Sequence, residues 1–163
     1  MIEVIKRLKH IFVKSKNKVK LIGWRWRWIY EDGTAIEENN YLPNSGLAVL
    51  AALICGEQTN SCAWHIAWGT GTTAAVAGDT ALEAEGGRKA KAYLWREGAV
   101  VKVRAYLITS EANGTWTEWG LFIAGTDAVA SGELASRILP AGGVVKTSGQ
   151  VLTVEIDITL ARG

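Results

Sequence analysis

Trp116-Thr117-Glu118-Trp119-Gly120-Leu121-Phe122-Ile123 is the stretch that decides how this chain is read. Trp119, Leu121 and Ile123 stand two apart, so a strand puts them on one face and turns Glu118, Gly120 and Phe122 to the other. Apolar residues on both faces mark a central strand covered from both sides, not an exposed edge. Two stretches precede it and belong to the same frame: the glycine-rich turn Gly69-Thr70-Gly71-Thr72-Thr73, and Asp79-Thr80-Ala81-Leu82-Glu83.

Working outward, period-two patterns recur on both sides. Residues 19–30 alternate, with Trp24, Trp26 and Trp28 on one face and Arg25 and Arg27 on the other. Asp32-Gly33 then turns the chain into a short return strand near 35–38. Leu47 to Gly56 is rich in Ala and Leu, follows Asn44-Ser45 and ends in glycine, which reads as one buried helix. Ala63 to Trp68 predicts a strand with Trp64, Ile66 and Trp68 on one face. Residues 74–88 read as an ordered loop between sheets. Lys89 to Arg96 and Ala99 to Thr109 predict a hairpin through Glu97-Gly98, and Asn113-Gly114 a turn into the central strand. Glu133 to Leu139 predicts a strand stopped by Pro140. The last strand, Val151 to Leu160, alternates most cleanly, with Leu152, Val154, Ile156, Ile158 and Leu160 as a buried row. Thr153, Glu155, Asp157 and Thr159 form its wet row. The expected fold is therefore mostly β: an antiparallel β-sandwich of jelly-roll type with one internal helix.

The 163 residues suit one body with a single core. A hydrophobic content of 48% with 18 glycines and only 2 prolines argues for packing and against disorder. Charge is unevenly placed. Nine of the 18 Lys and Arg residues fall in residues 1–27 against one acid, so a segment of +8 is joined to a remainder of −6, giving the net +2. This divides the chain into a basic arm, 1–18, and a body, 19–163. Within the arm Ile2, Ile5, Leu8 and Phe12 recur at helical spacing among Lys6, Arg7 and Lys9, which predicts an amphipathic basic helix. It docks on a partner or on its own body, lies on a membrane surface, or contacts nucleic acid; charge alone does not choose. The interrupting cations exclude a signal-peptide core and a membrane span there, and the helix at 47–56 is too short for one. The expected setting is a cytoplasm or the inside of an assembly.

Eight tryptophans are far more than this length requires. Trp24, Trp26 and Trp28, or Trp64 and Trp68, serve either as core packing or as a flat platform for sugar rings or bases, which the neighbouring arginines would support. Chemistry is otherwise sparse. Cys55 and Cys62 allow a loop disulfide or two free thiols. Two Cys and two His at these spacings make no zinc site, and no cofactor loop is present. His65 reads as a surface or hydrogen-bonded histidine. Glu83 with Glu85, and Glu155 with Asp157, read as solvated faces. Glu118 is the one carboxylate inside an apolar segment, expected to answer Arg104 or Arg137. No nucleophile elbow or triad spacing appears, so an enzyme is not expected.

Taken together, Pro43-Asn44-Ser45-Gly46-Leu47, Ile66-Ala67-Trp68-Gly69-Thr70-Gly71-Thr72-Thr73, residues 79–85, Gly114 to Phe122 and Leu152-Thr153-Val154-Glu155-Ile156 resemble small structural proteins of tailed bacteriophages and prophages. These are tail-fibre-like or minor virion proteins. The resemblance runs from about Val19 to the C-terminus and leaves the basic arm outside it. It implies a virion component assembled in the host cytoplasm, with other capsid or tail proteins and further copies of itself as partners. Ile5, Leu8 and Phe12 would then anchor it, and Lys6, Arg7 and Lys9 would supply the charge. The alternatives are a carbohydrate-binding module that takes a glycan on the tryptophan platform, or an inner capsid protein that contacts nucleic acid.

Overall fold

The computed structural model describes residues 19–40, 42–58 and 62–162. The predicted helix of the arm, with Ile5, Lys6, Arg7, Leu8, Lys9 and Phe12, lies outside them. The described chain is mostly β, with one helix and antiparallel pairing throughout. One sheet contains β1 (Val19–Tyr30), β2 (Ala35–Asn39), β5 (Tyr93–Glu97), β6 (Val100–Leu107) and β11 (Leu152–Arg162), in the order β2-β1-β11-β6-β5. A second contains β3 (Trp64–Gly69), β4 (Glu85–Ala90), β8 (Glu118–Ile123) and β9 (Glu133–Ile138), in the order β4-β3-β8-β9. A two-stranded piece pairs β7 (Gly114–Trp116) with β10 (Val144–Lys146). Four of the eight ladders join consecutive strands, β1-β2, β3-β4, β5-β6 and β8-β9, while β11 lies between β1 and β6 and β8 lies beside β3.

The arrangement is sandwich-like because the two large sheets face each other across one core. Every residue of β8 is buried, as a central strand requires. Trp119, Leu121 and Ile123 join the main cluster with Trp24, Trp26 and Trp28 of β1 and Val154 and Ile156 of β11. Indoles bridge the sheets: Trp26 stacks on Trp28 at 5.7 Å, Trp28 meets Trp119 edge-on at 5.6 Å, and Trp119 touches Trp68 at 6.3 Å. Such pairs add about 0.5–1.5 kcal/mol each beyond the area they bury. Trp26 Nε1 also donates to Ser136 Oγ at 3.0 Å, tying β1 to β9. On the other face of β8, Phe122 packs with Ala67, Leu82 and Leu134 in a smaller cluster.

Helix α1 (Asn44–Cys55) lies against β9 and begins earlier than its apolar run predicts. Pro43 stands at its N-cap, and no side chain caps it. Ser45 Oγ instead lies 2.8 and 3.0 Å from the carbonyls of Leu134 and Asp79, which fastens the helix to its neighbours. Gly46 allows the close approach, because a Cβ there would sit 2.2 Å from the Ala135 carbonyl oxygen. Gly56, at φ 72°, ends the helix in the left-handed conformation.

Three expected boundaries move. Residues 85–88, expected within a loop, join Lys89 and Ala90 in β4. The expected strand from Lys89 to Arg96 is two, β4 and β5, in different sheets, so the chain crosses between layers at Lys91-Ala92. The quoted stretch is likewise β7 and β8, separated at Thr117, whose N–H donates to the Gly69 carbonyl at 3.0 Å.

Candidate functional site

Three sets of polar side chains stand out, each held together by internal ion pairs. The most buried is Glu118, fully enclosed on the second face of β8. Its carboxylate accepts from the backbone N–H groups of Gly71, Glu83 and Ala84 at 3.0, 3.0 and 2.7 Å, and lies 3.1 Å from the Arg137 guanidinium. Arg137 reaches on to Asp79 at 2.9 Å and to the Thr73 carbonyl at 3.0 Å. Glu83 accepts from the N–H groups of Thr72 and Thr73, which hold its carboxyl below the usual range. The segment between β3 and β4 is thereby tied down over the sheet. Of the two partners expected for Glu118, Arg137 is the one found; Arg104 pairs with Glu155.

A second clasp uses Arg88 and Glu85, whose side chains meet through two bonds of 2.6 and 2.8 Å. Arg88 also donates to the Ser131 carbonyl at 2.6 Å and lies 4.3 Å over the Phe122 ring. The loop 124–132 is thus held against the sheet. His65 is buried, not on the surface, with Nε2 3.2 Å from Asp127 Oδ1.

The third set covers the outer face of the five-stranded sheet. Cross-strand register aligns Arg27, Glu155 and Arg104 in one row and Arg25, Asp157 and Lys102 in the next. Glu155 meets Arg27 and Arg104, and Asp157 meets Arg25 at 2.7 Å and Lys102 at 3.2 Å. Burial alone would raise the Asp157 carboxyl, but the bonds from Arg25 and Lys102 hold it below its ordinary value. This corrects the reading of Glu155 and Asp157 as solvated: both are buried, because the long cationic side chains of β1 and β6 close over β11.

The tryptophan platform is corrected too. Trp24, Trp26 and Trp28 are at most 1% exposed, and Trp64 and Trp68 are 5% and 7% exposed, so their rings face the core and offer no flat surface. Among the described residues, the most exposed aromatic side chain stands at the β5 edge of the outer face. Tyr93 is 57% exposed and meets Tyr106 edge-on at 6.2 Å, while Arg104 lies 5.2 Å over Trp95. The alternation Tyr93, Trp95 against Leu94 was available in the sequence and marks this outward row.

One open recess, of about 650 Å³, is polar and lined by Arg25, Asn39, Asn40, Lys102 and Asp157; another is apolar. Between α1 and the end of the five-stranded sheet runs a groove of about 550 Å³, walled by Leu47, Leu50 and Ile54 of α1, by Leu94, and by Ile158 and Leu160 of β11. Leu47, Ile54 and Leu160 are 51%, 86% and 40% exposed. Leu160, expected in the buried row, therefore continues that row out of the core and into the groove. Compared with known proteins, the chain matches no family model, no curated protein and no solved structure. Among the described residues no His, Cys, Asp or Glu cluster of metal-binding size comes together, and no helix is long and apolar enough to cross a membrane. Cys55 and Cys62 are exposed and unbonded.

Proposed function

We propose that the chain is a structural subunit of a tailed-phage particle. It attaches to capsid or tail as a repeated decoration or fibre component, and its basic arm is the anchor. The observation that supports this reading is the exposed apolar groove on a body whose ion pairs are internally satisfied. Contiguous apolar surface of this kind on a compact body marks a contact with another macromolecule. Ile5, Leu8 and Phe12 supply the apolar contacts of the arm, and Lys6, Arg7 and Lys9 the attraction to an acidic neighbour. Many copies on one particle turn a weak single contact into a firm one.

Mass spectrometry of particles banded in a density gradient tests this. The chain is expected in the band, and the combined Lys6→Glu, Arg7→Glu, Lys9→Glu variant is expected to be lost from it. Absence of the unaltered chain from purified particles would sink the reading.

The ring cluster of exposed Tyr93 with half-buried Trp95 and Tyr106 favours a second reading, a glycan contact at the β5 edge in place of the buried tryptophans. A neutral oligosaccharide that shifts Trp95 fluorescence, with the shift removed by Tyr93→Ala, is its expected signature. An unchanged spectrum across a glycan panel would argue against it.

A further inference from the structure

From the groove and the charge pattern of the chain, we infer that the seat between α1 and the end of β11 is filled by residues 2–13 of the same chain. The register of β1 locates the start of the arm. Val19 pairs with Arg162 and Leu21 with Leu160, and Leu160 is itself a wall of the groove. The arm therefore leaves the body beside the groove. The five residues from Lys14 to Lys18 reach at most about 17 Å when extended, which keeps the segment 2–13 close to this seat and at a high effective concentration there.

The chemistry of the two surfaces matches. The groove is apolar apart from Arg96, and Ile2, Ile5, Leu8 and Phe12 form one apolar stripe of matching character. The C-terminal end of α1, where Ile54 stands, has no basic residue in its last turn, and Glu57 follows it. That carboxylate and the negative end of the helix dipole favour cations nearby, and Lys6, Arg7 and Lys9 accompany the stripe. Occupancy would cover Leu47 and Ile54, which are otherwise exposed. The docked arm is then the resting form of the free protein. Resting on the particle reading, attachment exchanges the groove for the surface of a neighbour, so that the anchor is withheld until a particle is present.

Hydrogen exchange of the full chain, followed by mass spectrometry, tests the seat without any particle. An isolated helix of about 12 residues is marginal in water, so slow exchange in residues 2–13 requires docking. The segment is expected to be protected. Its exchange should quicken about tenfold or more in Ile54→Asp and in Leu8→Asp, as a loss of roughly that factor in docking would give. Ile54 is 86% exposed, so peptides from β8 and β11 should be unaltered in that variant and certify the body. Protection is expected to be the same across a hundredfold range of protein concentration. An unprotected arm, or protection indifferent to both substitutions, would overturn the inference. Protection that grows with concentration would overturn it also, by moving the seat to a second copy. None of these outcomes decides whether the chain belongs to a particle, which the gradient experiment settles separately.

Discussion

Glu118 shows how much one side chain organises. A carboxylate with no exposure is tolerable only where charge and hydrogen bonds answer it, and here three backbone N–H groups and Arg137 do so. Replacing Glu118 with Gln keeps the shape but removes the charge facing Arg137. The expected loss is about 2–4 kcal/mol, read as a lower denaturant midpoint with an unaltered slope. Gly71 makes a sharper test of the same clasp. A Cβ there would fall 2.5–2.7 Å from the Glu118 carboxyl group. Gly71→Ala is therefore expected to cost about 1–3 kcal/mol, although the position is a loop. Thermal unfolding measures it, and a neutral result would contradict the packing described. The sequence makes Glu118 conspicuous as an acid among apolar residues. It does not single out Arg137 from Arg104, because the choice depends on which strand lies beside β8, and β9 does.

At the scale of the element, β11 was legible in its alternation and illegible in its surroundings. Period two assigns Glu155 and Asp157 to the face away from the core, and they are there. Whether that face is wet depends on Arg25, Arg27, Lys102 and Arg104, which come from strands far away in the chain and meet β11 only through register. The same limit explains the tryptophans. Spacing puts Trp24, Trp26 and Trp28 together, but not on the inside or the outside. The break between β4 and β5 carries no Gly or Pro, so a single strand was the natural reading of residues 89–96. Asp157 gives this element a pH signature. Its folded-state pKa lies below the unfolded one, so the stability it contributes is present above about pH 4 and is lost as pH falls through the depressed value. Denaturant midpoints taken from neutral pH down to the acid side should fall for the parent chain. They should fall less for Asp157→Asn, whose midpoint is already reduced at neutral pH. Equal acid slopes would mean that Asp157 is not held as described.

Across the described residues, six tryptophans are drawn inward, the buried charged side chains of β8, β9 and β11 are paired, and an apolar groove lies open beside the start of β1. The two-sheet architecture was legible from repeated alternation and turn dipeptides, and the helix from its Ala-Leu run. The groove was not, because Leu47 and Ile54, Leu94, and Leu160 belong to three separate elements whose approach no local pattern encodes. Most of the tryptophans build the interior. Acrylamide quenching of the full chain, beside its Trp95→Phe variant, tests this most directly. Six of the eight tryptophans, at positions 24, 26, 28, 64, 68 and 119, are buried. The account predicts a shallow quenching slope that becomes shallower still in the variant. A steep slope like that of free tryptophan, left unchanged by Trp95→Phe, would contradict it.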